Sequence, residues 1–491
     1  MANSIIIIQV INFAPVGAFL TNKTGYIDPT GVAAGEYFSR IISWYTKGGF
    51  VDELGVKHIS NHSYDWNYWE VLNEVDAGES GTHCSSLNNS VAAPECARKY
   101  TEIYDGAAEN QCTFLRVIQY QNRSVYQDRL GTNVGTGETK EPFSAAGIVT
   151  VLHRDHPQLQ FTGLVTAWPD CAGSEAWFSY FLNASNHRSP VRENFATYVH
   201  EVSYHWYSEN GAKLPASWRT VGANPGDVFA QSAQFLVSAR RIKALVDELA
   251  PGTRVYCNEI GVLAPDLAPD RYCYSNHDKC SRTGTQLEPF GQDRWWWNLE
   301  AAQYGYVYGE LAALGLDGMA ASQLTGYPGN AVSISMLDWT NGNGNAWYWV
   351  VKMFIDTLGS GKKEILRTDV NGQPANATIR ALHPDEWMCI HSPPNSKAVN
   401  DAHVAPLYAA SFELTAKDKA RVVLLVNTKN CSAVVTVAGA SGGSVRAVDL
   451  SAGFEATPYS DTKLSSDSYT LQGWGVALVT LPPLSAGSES E

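Results

Sequence analysis

The stretch Tyr68-Trp69-Glu70-Val71-Leu72-Asn73-Glu74 decides the fold. From Tyr68 to Leu72 it is aromatic and β-branched enough to predict a short buried strand, and the strand stops at an Asn-Glu pair before a polar loop. In enzymes built on barrels of parallel strands, catalytic groups lie at the carboxyl ends of the strands, where the loops gather. We therefore expect Glu74 to lie at the functional end of such a strand.

A second stretch, Arg254-Val255-Tyr256-Cys257-Asn258-Glu259-Ile260-Gly261, also predicts a short strand that ends in a Glu. Two strand-end carboxylates far apart in sequence are what a retaining glycosidase needs. One protonates the leaving oxygen, and the other attacks the anomeric carbon, about 5 Å away. A single Asn-Glu after a strand usually marks only a loop, so this prediction depends on the pair.

Both stretches resemble motifs of clan A glycoside hydrolases. Residues Trp69 to Glu74 resemble the acid/base strand, the fourth of the clan's (β/α)8 barrel, and Asn258-Glu259 resembles the nucleophile strand, the seventh. The resemblance implies that Glu74 is the acid/base and that Glu259 is the nucleophile. Within the clan, the chain is most similar to family 39, which holds β-xylosidases and α-L-iduronidases, over roughly residues 5 to 355.

Four further residues are candidates for contact with a sugar. His205 and Tyr207 fall on the same side of a predicted strand, at its end. By resemblance, Tyr207 hydrogen-bonds the nucleophile, and His205 contacts substrate or the acid/base. Asn73 is placed to bond the sugar 2-hydroxyl, and Trp339 is the candidate for the aromatic platform under the sugar. The alternative is that His205 and Tyr207 are core side chains with satisfied hydrogen bonds.

The composition is that of a globular chain, and it mildly favours a carbohydrate site over other kinds of pocket. The 491 residues are 44% hydrophobic and 17% charged, which suffices for a large core and favours two domains. The net charge of −14 argues against nucleic acid or an anionic membrane as a partner. The 15 Trp and 24 Tyr favour a sugar site, since aromatic rings stack on sugar faces. Double displacement with two Glu residues needs no metal or organic cofactor, and the oligomeric state stays open.

Nine cysteines are many for a cytosolic enzyme. Cys84 with Cys96, and Cys273 with Cys280, lie close together in polar stretches and predict disulfides that staple loops. A zinc site is the alternative, but CxxC spacing is missing. Cys389 and Cys431 are a third candidate pair, and Cys257, inside a predicted strand, is expected to be a small core residue.

Glycosylation sequons indicate the compartment. They occur at Asn22, Asn61, Asn88, Asn122, Asn183, Asn376 and Asn430. Seven sequons together with disulfides predict a secreted or lysosomal/vacuolar glycoprotein. Residues 1–20 are a poor signal peptide, because they have no basic region and include Asn12 and Pro15.

Three regions are predicted along the chain. Residues 1–358 form an α/β domain, a (β/α)8 TIM-type barrel, residues 359–484 form a β-sandwich, and residues 485–491 are a disordered acidic tail. By resemblance, the run of residues 5–11 matches the third barrel strand, so the first two strand–helix units, on the order of 60–100 residues, are missing from the pattern. A fragment or wrong gene start is the favoured explanation. An inactive relative, or a second chain that supplies the edge, is the alternative.

The hydrophobic spacing also predicts individual elements. Predicted helices cover residues 35–47, 98–120, 143–153, 231–249, 293–314 and 345–358, and predicted barrel strands cover 5–11, 68–72, 159–166, 202–207, 254–261 and 317–324. Predicted strands of the C-terminal domain cover 407–414, 420–428, 433–437 and 469–481.

The predicted activity is that of an exo-acting, retaining glycoside hydrolase that cleaves O-glycosidic bonds. A sandwich packed on the barrel is typical of exo-acting families. The alternatives are another clan A hydrolase, such as a family 79 β-glucuronidase or a family 30 or 51 enzyme, and a truncated, non-catalytic carbohydrate-binding relative. An inverting enzyme would hold its carboxyl groups about 6.5–9.5 Å apart. The sequence does not name the sugar.

Overall fold

A computed structural model describes residues 8–11, 21–22, 25–26, 31–52, 54–76, 92–106, 147–167, 169, 173–209, 225–263, 294–325, 335–338, 341–359, 363–370, 373–374, 405–415, 419–429 and 431–483. The helices in these ranges are α1 (Val32–Thr46), α2 (Ala93–Asp105), α3 (Ile148–Asp155), α4 (Ser174–Phe181), α5 (Phe195–Tyr198), α6 (Pro225–Leu249), α7 (Arg294–Leu314) and α8 (Ala346–Leu358). The first ten strands are β1 (Ile8–Ile11), β2 (Thr21–Asn22), β3 (Gly25–Tyr26), β4 (Gly49–Val51), β5 (Lys57–Ile59), β6 (Tyr68–Val71), β7 (Gln160–Thr166), β8 (Glu201–Glu209), β9 (Arg254–Leu263) and β10 (Gly318–Met319). The others are β11 (Lys363–Leu366), β12 (Asp369–Val370), β13 (Gln373–Pro374), β14 (Leu407–Leu414), β15 (Ala420–Asn427), β16 (Ala433–Thr436), β17 (Ser444–Val448), β18 (Ser460–Lys463), β19 (Ser468–Leu471) and β20 (Val476–Thr480).

A parallel sheet organises the first part of the chain. Its six strands lie in the order β1-β6-β7-β8-β9-β10, and all five pairings are parallel. Because this order follows the chain, the carboxyl ends of all six strands lie at one edge, where the connecting loops begin. The α/β class with a parallel sheet is confirmed. Within the described residues β1 and β10 do not pair, so the expected barrel is not closed.

Helices cover the sheet because its strands are apolar on both faces. Six of the seven residues of β7 are buried. Helix α1 contributes Phe38 and Ile42 to the core cluster, and Gly35 lets it approach α3 closely, since a Cβ there would stand 2.8 Å from Val151 Cβ. The result is a single large core beneath the site described below.

The C-terminal region is an antiparallel sheet in the order β11-β14-β15-β20-β17-β18, with a separate two-stranded sheet of β16 and β19. Val435 of β16 and Leu471 of β19 share a small core with Leu425, Val445 and Val479 of the larger sheet. The two sheets therefore pack face to face over this cluster, while the β-sandwich domain as such stays a prediction. The division at residue 358 also stays a prediction, and the tail 485–491 lies outside the described residues.

Aromatic contacts join the larger C-terminal sheet to the helices of the first region. The rings of Tyr306 on α7 and Tyr408 on β14 meet edge to face with centroids 5.0 Å apart. Phe229 on α6 stacks against Trp474 at 6.1 Å. These residues belong to the same core cluster as the parallel sheet, so the two regions are held together by a continuous apolar interface.

Several element boundaries differ from the sequence predictions. Helix α2 begins at Ala93 rather than at residue 98, because Pro94 is tolerated in the first turn, and residues 107–120 lie outside the described ranges. The predicted strand 469–481 is two strands in different sheets, separated by a turn in which Trp474 has φ 52°. The eighth barrel strand is short, since only Gly318–Met319 pair with β9.

Cysteine chemistry is described for three residues. Cys96 is disulfide-bonded, and its predicted partner Cys84 lies outside the described residues, so that pairing stays a prediction. Cys431 is free, so the Cys389–Cys431 pair is wrong. Cys257 is free and buried in the core, as expected. The Cys273–Cys280 pair lies outside the described residues. Among the helices of the described ranges, none combines the length and apolarity needed to cross a bilayer.

Candidate active site

The neighbouring strands β8 and β9 place His205 opposite Glu259. The register between these strands shifts between Tyr204 and His205, and this irregularity makes His205 and Glu259 direct partners. Without the shift, His205 would oppose Asn258. The local backbone therefore selects which β9 side chain meets the histidine.

A tight turn carries Glu74 over the end of β6. Leu72 has φ 67° and Glu74 has φ 45°, which is the left-handed region that non-glycine residues seldom adopt. The turn is held from both sides, because Val75 N–H donates to Val165 O at 3.0 Å and the Asp76 carboxylate accepts from Ala167 N–H at 2.7 Å. A strained backbone that its neighbours fix in this way is typical of functional sites.

The imidazole of His205 lies between the two predicted catalytic carboxylates. Its Nδ1 is 3.0 Å from Glu74 Oε1 and 3.3 Å from Glu259 Oε2. These three ligand atoms all lie within 4.8 Å of one another. The histidine side chain is fully buried, whereas Glu74 and Glu259 are 20% and 29% exposed. Both carboxylates can therefore reach a bound molecule, and His205 supports them from beneath.

The electrostatics of this group keep a proton on His205. Burial acts to lower the pKa of the imidazole, but the charges of Glu259 and Glu74 outweigh it and raise the pKa to about 9. At neutral pH a buried imidazolium therefore lies between the two carboxyl groups, and its positive charge offsets negative charge there. This arrangement explains how two carboxylates can stay close together.

Tyr207 forms a hydrogen bond with Glu259. Its hydroxyl donates to Glu259 Oε2 at 2.5 Å. Burial and the charge of Glu259 raise the pKa of Tyr207 well above its ordinary value, and Ser322 bonds the phenol oxygen. Tyr207 thus stays a donor, and Ser322 fixes its direction. Sequence reasoning missed Ser322, because only its place in the predicted eighth strand could have indicated it.

The structure brings together Glu74, His205, Tyr207 and Glu259, although their catalytic roles stay predictions. Asn73 lies half-buried in the turn after β6, beside Glu74 in the chain. Trp339 lies outside the described residues. Two carboxyl groups close to Glu74 in the chain received no role from the sequence: Glu70 and Asp76 are both buried.

A metal ion fits this group poorly. Glu74, His205 and Glu259 could each offer one ligand atom to a shared ion. The raised pKa of His205 means that a metal ion would have to displace a firmly held proton from Nδ1, the atom that faces both carboxyl groups. The site therefore favours a protonated histidine over a resident metal.

Comparison with known proteins finds similar solved structures but no relative by sequence. No protein-family model and no curated protein matches the chain. A family 51 alpha-L-arabinofuranosidase from Bifidobacterium longum is 11% identical over 93% of this chain and 75% of its own, with a TM-score of 0.49. A glucosidase from Croceicoccus marinus is 12% identical over 94% and 76%, with a TM-score of 0.47. A bifunctional glucanase-xylanase from a metagenome library is 11% identical over 94% and 70%, with a TM-score of 0.46.

These similar structures are all glycoside hydrolases by their names. Identities of 11–12% with TM-scores below 0.5 are too low for a functional argument. The geometry of the site is therefore the evidence that bears on the function of this chain.

Proposed function

We propose that the chain is a retaining glycoside hydrolase that works by double displacement, with Glu74 as acid/base and Glu259 as nucleophile. One observation carries the proposal: an oxygen of each carboxylate lies within 4.8 Å of the other, across a shared histidine. Retaining enzymes hold these groups about 5–5.5 Å apart, whereas inverting enzymes need about 6.5–9.5 Å to admit a water. The spacing favours retention.

In the first step, Glu259 attacks the anomeric carbon while the bond to the leaving oxygen breaks. The leaving oxygen takes the proton of the Glu74 carboxylic acid, while His205, whose Nδ1 lies 3.0 Å from Glu74 Oε1, keeps its own proton. The donated bond from Tyr207 keeps Glu259 Oε2 oriented, so the other oxygen is the one that attacks. The product is a glycosyl ester on Glu259 and an anionic Glu74.

In the second step, Glu74 removes a proton from water, and the water oxygen attacks the same anomeric carbon. The ester bond breaks, Glu259 regains its charge, and Glu74 regains its proton. As charge returns to Glu259, the Tyr207 hydroxyl and the His205 imidazolium stabilise it, since both already lie within hydrogen-bond distance of Oε2. His205 and Tyr207 therefore assist both steps without touching the sugar.

The test is hydrolysis of a panel of aryl β-xylosides, galactosides, glucosides and glucuronides, α-L-iduronides and α-L-arabinosides. We expect the wild-type chain to cleave one sugar class and Glu259→Gln to lose turnover while it stays folded. Glu74→Gln should spare substrates with very acidic leaving groups far more than poor ones, because only the poor ones need the acid. Glu310→Gln is the matched control, since Glu310 is a buried Glu that faces Arg240 and Tyr408 at the C-terminal interface.

The anomer formed first decides the stereochemistry. Nuclear magnetic resonance of the early product should show the same anomeric configuration as the substrate. An inverted product would contradict double displacement. Full activity of Glu259→Gln would remove Glu259 from the mechanism, and no hydrolysis of any substrate by the folded chain would favour a non-catalytic carbohydrate-binding relative.

The glycosidase family and the exo mode of action are further proposals. Family 39 and exo action are supported only by the resemblance of the two motifs, and families 79, 30 and 51 remain the competing assignments. Cleavage of a uronide in the panel would favour a family 39 iduronidase or family 79 activity, and cleavage of an arabinoside would favour family 51. Release of single sugars from an oligosaccharide would support exo action.

Secretion is also a proposal. Cys96 is disulfide-bonded, and Asn61 and Asn183 of two sequons are exposed. Both observations suit a secreted or lysosomal/vacuolar protein. A mass decrease after treatment with an N-glycan-removing enzyme, on protein made in a secretory host, would support it. An unchanged mass would count against it.

A further inference from the structure

A buried carboxyl group lies one layer beneath the site. Glu70 belongs to β6, four residues before Glu74, and its side chain is 0% exposed. Its Oε2 accepts a hydrogen bond from Asn258 Nδ2 and a longer one, 3.4 Å, from Ser203 Oγ. Within the part of the chain that the structure describes, Glu70 has no solvent-exposed surface with which to contact a substrate.

The partners of Glu70 are next to the partners of Glu74. Ser203 lies two residues before His205 on β8, and Asn258 immediately precedes Glu259 on β9. Glu70 thus connects β6, β8 and β9, the three strands that position Glu74, His205 and Glu259. Strands β6 and β8 are not neighbours in the sheet, because β7 lies between them. Backbone pairing alone therefore does not fix their separation at this depth.

We propose that Glu70 is a positioning residue that fixes the separation of Glu74 and Glu259 by tying β6 to β8 and β9. The proposal rests on the glycosidase function proposed above. It assigns Glu70 no contact with sugar or with the reacting atoms. Its effect passes through Asn258 and Ser203 to the strands.

The charge of Glu70 suits this role. Burial raises the pKa of Glu70 to about 8, so the group is a neutral acid at pH 7. A neutral acid accepts the bond from Asn258 without adding negative charge below Glu259. Gln has the same shape, is also neutral and keeps one acceptor oxygen, whereas Leu has a similar volume and no acceptor.

The experiment compares Glu70→Leu, Glu70→Gln and wild type on the aryl glycoside that wild type hydrolyses. Misplacement of reacting groups by about 1 Å costs about 10²-fold in rate. We expect Glu70→Leu to lose about 10²-fold in kcat with KM within about twofold, and Glu70→Gln to stay within about threefold of wild type. Glu310→Leu, a second buried Glu remote from the site, should keep the wild-type kcat.

Asn258→Ala removes the donor of the hydrogen bond to Glu70, and it replaces Glu70→Leu as the test if that variant does not fold. We expect it to lower kcat by a similar factor. In the double variant of Glu70→Leu and Asn258→Ala, the losses should not add, because both changes break one interaction. Wild-type kcat in folded Asn258→Ala or Glu70→Leu, or equal losses in Glu70→Leu and Glu70→Gln, would overturn the proposal.

Crystal structures of wild type and Asn258→Ala separate this inference from the proposed function. If wild type hydrolyses nothing, the glycosidase proposal fails. The positioning role of Glu70 is then tested only by the distance between the Glu74 and Glu259 oxygens in the two structures. We expect that distance to change by about 1 Å in the variant. An unchanged distance would overturn the positioning role.

Discussion

Asp76 offers a direct test of the electrostatics around the site. Its side chain is 1% exposed, and one carboxylate oxygen accepts from Ala167 N–H at 2.7 Å. The other oxygen has no partner among the described residues. Burial raises the pKa of Asp76 from 3.8 to about 7. The folded chain therefore keeps a proton on Asp76 over a pH range in which the unfolded chain has lost it.

The sign of the pH effect follows from this proton. Below pH 3.8 both states are protonated, and the buried acid carries no charge penalty. As pH rises from 3.8 to about 7, the unfolded state is increasingly favoured, and above 7 the penalty is constant. At about 1.4 kcal/mol per pH unit, the full effect on the free energy of unfolding is about 4 kcal/mol.

The Asp76→Asn variant removes the titration. Asn keeps the acceptor for Ala167 N–H but places an NH₂ group where no described partner exists, which costs about 1–3 kcal/mol at every pH. We expect the variant to be less stable than wild type at pH 4.5 and to gain relative stability as pH rises, until it equals or exceeds wild type at pH 8. The measurement is urea unfolding of both proteins at pH 4.5, 5.5, 6.5, 7 and 8. A stability difference that does not change with pH would refute the reasoning.

Four further substitutions test the contacts around Glu259 and the interface between α7 and the C-terminal sheet. Tyr207→Phe removes the donor 2.5 Å from Glu259 Oε2, and kcat on the cleaved aryl glycoside should fall about 10²-fold with little change in KM. Ser322→Ala removes only the bond that directs Tyr207, so kcat should fall less than about tenfold; a larger loss than in Tyr207→Phe would contradict this order. Gly309→Ala places a Cβ 2.5 Å from Tyr408 Oη, and urea unfolding should show a loss of about 1–3 kcal/mol. Gly305→Ala, whose Cβ would stand 3.1 Å from Val476, should lose less, and equal losses would show that this interface is not tightly packed.

The sequence predicted the strands of the site well because their chemistry is local. The runs ending at Glu74 and Glu259 are short and largely apolar, and the structure places strands β6 and β9 there. The predicted strand end at Glu259 is wrong, because β9 continues through apolar residues to Leu263. The contact between His205 and Glu259 could not be predicted from the residue pattern. It depends on a register shift between β8 and β9 that no residue pattern marks. The resemblance to known enzymes indicated a bond from Tyr207 to Glu259 and a contact of His205 with substrate or the acid/base, but not the contact of His205 with Glu259.

Residues that act across the sheet were missed for a different reason. Glu70 lies in the quoted strand, and a charged residue in a buried strand is itself a signal that it has a polar partner. Its partner Asn258 is 188 positions away, and sequence spacing cannot show such a pairing. Ser322 likewise meets Tyr207 only because the chain after β10 continues along β9, where Ser322 N–H donates to Ile260 O.

The buried groups around the site predict how activity changes above neutral pH. As pH rises, Asp76 ionises at about 7, Glu70 at about 8, and His205 loses its charge at about 9. Each event lowers the net charge beside Glu74 and Glu259 by one. Added negative charge favours the protonated form of a neighbouring carboxyl group, so the ionisation of Asp76 and Glu70 does not take the proton from Glu74. The loss of the His205 proton instead removes the cation that stabilises Glu259 as its charge returns. We therefore expect kcat to decline near pH 9, and Glu70→Gln to keep this decline. A kcat that is unchanged from pH 7 to 10 would show that the charge of His205 does not assist the reaction.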